Sequence, residues 1–294
     1  MAVSNSASGG ARADRAPLNA LSIDVEEYFQ VSAFESVIDK GDWSRWPSRV
    51  EVSTQRLLDL FAAQGVHATF FTLGWVAERF PALVRRIVDE GHELACHGYD
   101  HVRLTNHTPE SLGEELRRSK ALLEDASGVA MRGFRAASFS IDTSNLWAFG
   151  VIEAAGFDYS SSVYPVHHDL YGIPDAERVP FRAPGAGRLV EIPVATARYC
   201  GRNLPAGGGG YFRLFPYWLS AHLLRTVHRQ EVARANMYFH PWEFDPEQPR
   251  PAGISPRTRF RHYLNQNRAL SRLERLLGDF RWAPFADVYA DCIP

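Results

Sequence analysis

The sequence predicts an α/β protein whose parallel sheet closes into a barrel. Apolar runs typical of strands alternate with helical patterns, which indicates a parallel sheet covered by helices. At least seven such runs are present, and that number favours a closed barrel over an open sheet: 21–24, 67–74, 93–97, 133–136, 157–163, 190–196 and 236–240. The length of 294 residues agrees, because closed α/β barrels often form one domain of roughly 250 residues.

Residues typical of helix ends place helices between these strands. Ser48 and Glu51 have the spacing of a capping box, before a helix that ends at Gly65. Pro81 suits the first turn of a helix that reaches Gly91. Further helices are predicted at 108–128, 143–155, 216–230 and 256–277, whereas 164–189 is predicted to be a long loop region.

Composition excludes several classes of protein. Lys and Arg number 32 and Asp and Glu 34, so no basic excess is available to hold a nucleic acid or an anionic membrane by charge. No window approaches the roughly 20 apolar residues of a transmembrane segment. The cysteines, at 96, 200 and 292, are too few and too scattered for a disulfide framework or a zinc ribbon.

The chain is expected to contain one domain. Residues 1–17 are rich in Ala, Ser, Gly and Arg and are predicted to be a disordered tail. Residues 18–294 are predicted to form a single barrel domain, including a C-terminal extension over 245–294. The first residues lack the apolar core of a secretory signal, so the expected location is the cytoplasm, and a non-standard export route stays open.

Polar side chains collect where the predicted strands end. Active sites of α/β barrels are built at the carboxyl ends of the strands, so these side chains are expected to lie close together at one end of the barrel. They are Asp24, Glu26 and Glu27 after the first strand, His97 and His101 after the third, Arg135 in the fourth, Asp158 in the fifth and His240 at the end of the last.

His97 and His101 are candidate metal ligands. Imidazoles four residues apart fall on the same side of a helical turn, so both can bind one divalent metal if a third ligand comes from elsewhere. Three protein ligands and an open position are typical of catalytic zinc. A His-x-x-x-His pair alone is more often structural, but this pair follows an apolar strand, and a carboxylate of the 24–27 run can complete the set.

Over roughly residues 20–245, the order of the motifs resembles the polysaccharide deacetylases of carbohydrate esterase family four. This resemblance implies a distorted (β/α)7 barrel and a metal-dependent amidase or esterase. The motifs are Ser22-Ile-Asp24-Val-Glu26, His97 with His101, Arg135-Ala-Ala137-Ser138, Asp158 and Tyr238-Phe239-His240. Three segments, SIDVEEYFQVSAFE, GGGGYFRLFPYW and YFHPWEFDP, resemble more narrowly the deacetylases of exosortase-linked exopolysaccharide loci in bacteria.

Two positions depart from the family pattern. Many members carry adjacent aspartates, but here Val25 follows Asp24 and cannot bind metal. In an extended segment residues i and i+2 point to the same side, so Asp24 and Glu26 can face one site. Glu27 points the other way and is the less favoured ligand, although the choice between the two glutamates stays open. Ala137 replaces the usual proline, which removes no functional group.

The resemblance implies hydrolysis of an N-acetyl amide on an amino sugar, with a role for each motif. The metal polarises the carbonyl and activates water, with zinc as the first choice and cobalt, nickel or iron as alternatives. The implied roles are general base for Asp24, its partner for Arg135, general acid for His240, orientation of His240 for Asp158, metal ligands for Glu26, His97 and His101, and a backbone oxyanion donor near Ser138.

Candidate substrate contacts are less specific. Trp242 and Tyr99 have aromatic faces that suit a pyranose ring, although core packing explains them equally well. Arg213 follows the run 207–210, which is predicted to be a flexible glycine turn, and is a candidate for reaching a substrate. The arginines of helix 256–277 form a solvated face, or meet an anionic glycan or a neighbouring subunit.

The sequence therefore predicts a metal-dependent deacetylase acting on an N-acetylated polysaccharide or oligosaccharide, in bacterial exopolysaccharide biosynthesis. One alternative is a barrel enzyme that hydrolyses a small cyclic amide or ureide. Another is an inactive glycan-binding protein, which would have no need for a general acid and base. The identity of the polymer, N- against O-deacetylation and homo-oligomer formation stay open.

Overall fold

The computed structural model describes residues 16–168, 171–230 and 233–294. The predicted tail lies outside these residues except for 16 and 17. The strands are β1 (Leu18–Val25), β2 (Thr69–Thr72), β3 (Glu93–Cys96), β4 (Gly133–Phe134), β5 (Tyr159–Ser160), β6 (Phe181–Arg182), β7 (Val190–Glu191), β8 (Thr196–Tyr199), β9 (Arg202–Pro205), β10 (Asn236–Phe239) and β11 (Arg281–Ala283). The helices are α1 (Val50–Gln64), α2 (Gly74–Arg79), α3 (Pro81–Asp89), α4 (Pro109–Ser127), α5 (Ala148–Ala154), α6 (Gly209–Leu214), α7 (Tyr217–Arg229), α8 (Pro256–Tyr263), α9 (Gln266–Asp279) and α10 (Phe285–Val288).

A curled parallel sheet organises the molecule, as predicted for the fold class. The parallel strands follow the order β10-β1-β2-β3-β4-β5-β7, with antiparallel β6 at one edge and β11 paired with the start of β1. Strands β8 and β9 form a separate hairpin. Since parallel strands point the same way, their carboxyl ends share one side of the sheet. No helix among the described residues is long and apolar enough to cross a membrane.

A side chain spans the gap between the two ends of the parallel set. Within the described residues, no backbone ladder joins β7 to β10. The Asn236 Nδ2 of β10 donates instead to the carbonyl oxygens of Pro193 at 2.8 Å and Ile192 at 3.4 Å. The Asn236 amide therefore connects the two strands across the opening, and the curled sheet encloses an interior as a barrel does.

Alternation along β1 separates the two faces of the sheet. Leu21 and Ile23 belong to the main core cluster under the helices, whereas Ala20 belongs to a second cluster inside the barrel. That inner cluster includes Phe285, whose backbone N–H donates to Thr69 Oγ1 at the start of β2, at 2.7 Å. Residues near the C-terminus thus close the amino end of the barrel and leave the carboxyl end for a site.

The predicted single helix over 256–277 is wrong in one respect. The chain breaks into α8 and α9 at Asn265, whose φ of 56° lies in the left-handed region. Arg213 Nη1 donates to the carbonyl oxygens of His262 and Leu264, at 2.9 and 2.8 Å, and Asn265 Nδ2 donates to the Arg213 carbonyl oxygen at 2.8 Å. A distant arginine therefore fixes the break, which local sequence does not reveal.

Candidate active site and metal centre

Asp24 and Arg135 form a buried pair at the carboxyl end of the barrel. Arg135 is fully buried, and its Nη1 donates to Asp24 Oδ1 and, at 2.8 Å, to Ser22 Oγ. The guanidinium also donates to the carbonyl and the hydroxyl of Ser161, at 3.0 and 3.1 Å. A buried charge is costly unless it is paired and hydrogen bonded, and here both conditions hold. The predicted pairing of these two residues is present, and it fixes the Asp24 carboxylate.

Glu26, His97 and His101 come together as one buried cluster. One potential ligand atom from each residue lies within 4.8 Å of the others, and His101 Nε2 is 2.8 Å from Glu26 Oε2. The two histidines lie on a loop rather than on the helical turn suggested by their spacing, with left-handed φ values at Gly98 (80°) and His101 (60°). The loop nevertheless turns both rings toward Glu26, with their centroids 5.4 Å apart.

The chemistry of this cluster fits a divalent metal. His97 Nδ1 lies 2.9 Å from the Arg135 carbonyl oxygen, which can only accept, so Nδ1 carries the proton and Nε2 keeps its lone pair. Burial lowers the pKa of His97 to about 4 and keeps this ring neutral. Burial alone would raise the pKa of Glu26, but the charge and hydrogen bond of His101 outweigh it and hold the carboxyl ionised. Two imidazoles and a carboxylate are a common ligand set for catalytic zinc.

Glu27, the alternative ligand, has a different role. Its carboxylate accepts the Ser48 hydroxyl and the backbone N–H groups of Arg49, at 3.1 Å, and Val50, at 3.2 Å. Glu27 therefore satisfies the N-terminus of α1, and the predicted capping box of Ser48 with Glu51 does not form. This arrangement leaves Glu26 as the carboxylate that faces the two histidines.

His240 ends β10 and points back into the same site. Its Nε2 lies 3.9 Å from Asp24 Oδ2 and 3.7 Å from Glu26 Oε1. Its Nδ1 bonds Glu243 Oε1 at 2.7 Å. Burial would lower the pKa of His240, but the hydrogen bond and charge of Glu243, with the charges of Glu26 and Asp24, raise it to about 9. At neutral pH His240 is thus a protonated imidazole beside a carboxylate.

Glu243 is the site residue that sequence reasoning missed. Its second oxygen accepts from Arg213 Nε at 2.8 Å, and both side chains are buried. The sequence feature that could have indicated Glu243 is its position three residues after His240, in a turn that begins with Pro241. Arg213 also donates from Nη1 and Nη2 to backbone carbonyl oxygens, including that of His262, and so positions Glu243. Arg213 lines the cavity, and its predicted contact with a substrate stays a prediction.

The predicted contact between Asp158 and His240 is wrong. Asp158 precedes β5 and therefore lies at the amino end of the barrel, on the side opposite to His240. Its carboxylate pairs with Arg132 at 2.8 Å and with Arg188 at 3.5 Å. Glu243, and not Asp158, orients the imidazole.

The two predicted sugar-stacking rings have other contacts. Trp242 lies between His240 and His262, with ring centroids 4.9 and 4.3 Å away and interplanar angles of 19° and 11°. Both of its faces are covered, and its Nε1 donates to Glu26 Oε1 at 3.0 Å. The Tyr99 hydroxyl donates to Glu78 at 2.7 Å on the outer helices, away from the cavity. Trp242 therefore offers no free face for a pyranose, and Tyr99, whose ring is covered by the Arg118 guanidinium on one side, does not line the cavity.

Ser138 lies at the edge of the site in an unusual backbone conformation. Ser138 and Phe139 both have left-handed φ values, 53° and 49°, which bulky residues rarely adopt. The Ser138 hydroxyl is 2.9 Å from that of Ser32, and both residues line the cavity. The backbone N–H groups of Phe139 and Ser140 donate to the carbonyl oxygens of Ala136 and Ala137, at 3.1 and 3.2 Å, and the oxyanion donor near Ser138 stays a prediction.

These residues share one cavity of about 430 Å³, a volume in the range of small-ligand sites. Its floor holds Asp24, Glu26, His97, His101 and His240. A larger cavity of about 970 Å³ lies beside the β8–β9 hairpin and is lined by none of these five residues. The smaller cavity is the candidate site because the buried titratable groups converge there.

The glycine run at 207–210 is part of the support for this site. Gly209 begins α6, and a Cβ there would collide with both carboxylate oxygens of Glu243. A Cβ at Gly207 would come within 2.6 Å of the Asn236 carbonyl oxygen. The predicted flexible turn is therefore a closely packed segment, in which absent side chains let the backbone approach β10 and Glu243.

Parts of this chain are similar to known proteins. A family model described as polysaccharide deacetylase matches residues 37–157, and a model described as a domain of unknown function, DUF3473, matches residues 161–290. A peptidoglycan deacetylase of Helicobacter pylori is 35% identical over 44% of this chain and 42% of its own length. A chitooligosaccharide deacetylase of Rhizobium leguminosarum is 28% identical over 49% of this chain and 60% of its own length. The chain thus matches less than half of the H. pylori relative.

Solved structures share the fold. A protein of Mycobacterium smegmatis assigned to the polysaccharide deacetylases superposes with a TM-score of 0.61 at 20% identity, over 94% of this chain and 93% of that one. An allantoinase, PuuE, superposes with a TM-score of 0.60 at 15% identity, over 93% of this chain and 89% of that one. At these identities the likeness shows the fold alone.

The fold and the site together define an α/β barrel protein with a candidate metal centre at the carboxyl ends of its strands. Residues 37–157 are similar to the polysaccharide deacetylases, and the relatives that match parts of the chain carry deacetylase names.

Proposed function

We propose that the protein hydrolyses N-acetyl groups of an amino-sugar polysaccharide in a metal-dependent reaction. The observation that carries this proposal is the meeting of two supported proton-transfer groups beside one candidate metal cluster. Arg135 holds Asp24, Glu243 holds His240, and His240 lies within 4 Å of both Asp24 and Glu26. A base and an acid beside a Lewis-acid site are the groups that metal-dependent amide hydrolysis uses.

Glu26, His97 and His101 would hold the metal. A divalent ion bound there, zinc before cobalt, nickel or iron, would polarise the acetyl carbonyl and lower the pKa of water. The chain's own residues prepare this site in advance. The Arg135 carbonyl fixes the His97 tautomer, and the Trp242 indole N–H fixes one oxygen of Glu26.

Asp24 acts as the general base. Its carboxylate takes a proton from the attacking water, while Arg135 and the buried hydroxyl network around it prevent the side chain from turning away. The backbone N–H near Ser138 stabilises the negative charge that develops on the acetyl oxygen.

His240 acts as the general acid. An amine leaves readily only when its nitrogen is protonated, and the Nε2–H of His240 points into the cavity while Nδ1 is held by Glu243. Arg213 holds Glu243 in turn, so that two residues behind the imidazole determine its orientation.

The names of the relatives indicate a class of substrate. Relatives named peptidoglycan deacetylase and chitooligosaccharide deacetylase support an N-acetylated amino sugar. We also propose that the polymer is a bacterial exopolysaccharide, because the segments around Asp24, Arg213 and His240 resemble deacetylases of such loci. The single domain over 18–294 and the cytoplasmic location stay predictions.

Acetate release from N-acetylglucosamine oligomers tests the function. The Asp24→Asn variant removes the base and is expected to lose about 10²–10⁴-fold in rate. Asp158→Asn is the matched control, since Asp158 lies at the opposite end of the barrel and is expected to leave the rate unchanged. Full activity of Asp24→Asn, hydrolysis of cyclic ureides alone, or glycan binding without turnover under any divalent metal would contradict the proposal.

A further inference from the structure

The two candidate histidine ligands lie on a short loop, 97–101, whose backbone is irregular. Its first residue still continues the sheet pattern, because the His97 N–H donates to the Thr72 carbonyl oxygen of β2 at 3.0 Å. Beyond it, Gly98 and His101 have left-handed φ values of 80° and 60°. The direction of the His101 ring therefore depends on what holds the three residues between the histidines in place.

Helix α2 holds two carbonyl groups of this loop. The Gly74 N–H, at the start of α2, donates to the Gly98 carbonyl oxygen at 2.8 Å. The next N–H of the helix, that of Trp75, donates to the Tyr99 carbonyl oxygen, also at 2.8 Å. N–H groups in the first turn of a helix have no partner within the helix. The loop and α2 therefore satisfy each other's backbone groups, and the carbonyl groups of the loop are fixed.

Glu115 of helix α4 binds the N–H group at the middle of the loop. Its Oε1 accepts from the Tyr99 N–H at 3.1 Å, and Tyr99 lies two residues from each histidine. The absence of a side chain at Gly98 permits this approach, since a Cβ there would lie 2.8 Å from the same oxygen. The Glu115 side chain is 15% exposed, so the contact is largely shielded from water.

Other side-chain contacts of the loop lie at the surface. They are those of Tyr99 with Glu78 and Arg118, and that of Asp100 with Lys40. The partner side chains in these contacts are 41% to 54% exposed, and contacts with exposed charged groups stabilise a fold little. The hydrogen bond between the Tyr99 N–H and Glu115 is therefore the side-chain contact that is expected to matter most for the loop.

We propose that Glu115 is a positioning residue of the candidate metal centre. Its hydrogen bond to the Tyr99 N–H holds the loop in the shape in which His97 and His101 both face Glu26, and so raises the affinity for a divalent ion. The inference rests on the metal site of the proposed function and adds a residue to its support. Residues that orient metal ligands contribute about 10–100-fold to metal affinity.

The dissociation constant of zinc, measured by competition with a chromophoric chelator, tests the proposal. Glu115→Ala removes the acceptor and is expected to raise this constant by about 10–100-fold. Glu115→Gln removes the charge but keeps an oxygen that can accept the Tyr99 N–H, so its constant is expected to stay within about threefold of the wild-type value. Glu114→Ala is the matched control, since Glu114 is an exposed neighbour on the same helix, and it is expected to bind zinc as the wild-type protein does.

Urea unfolding of the metal-free variants separates a positioning role from a structural one. A purely structural contact would lower the urea midpoint of Glu115→Ala and leave its zinc affinity at the wild-type value. If Glu115→Ala does not fold, Glu115→Asp takes its place, because the shorter side chain withdraws the acceptor and keeps the charge. The same loss of zinc affinity is expected for Glu115→Asp.

The outcomes separate the role of Glu115 from the function on which it rests. Wild-type zinc affinity in the variant that lacks the acceptor would overturn the role of Glu115 and leave the metal site in place. An equal loss of affinity in Glu115→Gln would also overturn it, because the charge rather than the hydrogen bond would then be responsible. A wild-type protein that binds no zinc, cobalt, nickel or iron would instead contradict the proposed function.

Discussion

Glu243 connects the candidate general acid to the C-terminal part of the chain. It holds His240 on one side and Arg213 on the other, and Arg213 in turn holds the backbone where α8 meets α9. The sequence predicted His240 but assigned it Asp158 as a partner. Strand ends can be predicted from apolar runs, whereas the choice of carboxylate depends on a short turn, 241–244, whose shape is set by its surroundings.

Replacing Glu243 by Gln keeps the shape of the side chain and removes its charge. Because that charge helps to raise the pKa of His240 to about 9, the pKa falls in the variant. A general acid must be protonated, so activity is lost as pH rises through its pKa. The alkaline limb of the kcat profile is therefore expected to move to lower pH, and kcat to fall by about tenfold or more.

The exposed Glu247 provides the control for this measurement. Its side chain is 71% exposed and pairs with Arg49 and Arg56 at the surface, so Glu247→Gln is expected to leave the pH profile unchanged. A Glu243→Gln profile that coincides with the wild-type profile would show that Glu243 does not act through His240.

His92 is a buried histidine far from the site whose titration should appear in stability. Its Nδ1 accepts the Ala68 N–H at 3.2 Å, its ring packs on Phe70, and burial with the nearby His67 lowers its pKa to about 4. Between about 4 and the ordinary value of 6.5, the unfolded chain binds more protons than the folded one. The contribution of His92 is thus complete above this window and is lost as pH falls through it.

The His92→Asn variant isolates this effect, because the amide oxygen can still accept from Ala68. Urea unfolding is expected to show the wild-type protein to be the more stable at pH 7, with the difference shrinking toward pH 4. Other titrating groups are the same in both proteins and cancel in the comparison. A difference that stays constant or grows with acidification would exclude a depressed His92 pKa.

At the scale of elements, α6 shows how a segment that carries no catalytic side chain shapes the site. Gly209→Ala places a methyl group against the Glu243 carboxylate, so it is expected to destabilise the fold by about 1–3 kcal/mol and to reduce kcat by displacing Glu243. Gly278→Ala in α9 is the control, since no atom lies near its Cβ position, and it is expected to stabilise by about 0.5–1 kcal/mol. Thermal unfolding and acetate release measure both effects.

One outcome of the Gly209→Ala experiment would contradict this role of α6. If Gly209→Ala folds with wild-type stability and wild-type kcat, the close approach of α6 to Glu243 is not needed for the reaction. The sequence showed the glycine run but gave no indication of what lies against it, because the neighbour, Glu243, is 34 residues further along the chain.

The ends of two strands also depend on residues that are distant in the sequence. The predicted runs at 133–136 and 157–163 correspond to strands of only two residues, Gly133–Phe134 and Tyr159–Ser160. The next residues, Arg135 and Ser161, direct their polar groups at each other rather than into a ladder. The buried apolar character that predicts a strand continues into the site, whereas the regular pairing does not.

For the whole molecule, both matched regions are needed to complete the site. His97, His101 and Arg135 lie in residues 37–157, whereas Arg213, His240 and Glu243 lie in residues 161–290. The sequence could predict that the strand-end residues converge, because parallel strands end on one side of a sheet. It could not predict Glu243, the supporting role of Arg213 or the covered faces of Trp242, because these depend on how separate loops pack.

Metal reconstitution tests the central claim most directly. Protein stripped with a chelator is expected to release no acetate from N-acetylglucosamine oligomers and to recover activity as zinc is added, saturating at one ion per chain. The His97→Ala/His101→Ala variant is expected neither to bind the ion tightly nor to recover, whereas His222→Ala, at an exposed position, recovers fully. Metal-free protein that hydrolyses at the wild-type rate, or full recovery of the double variant, would contradict the account.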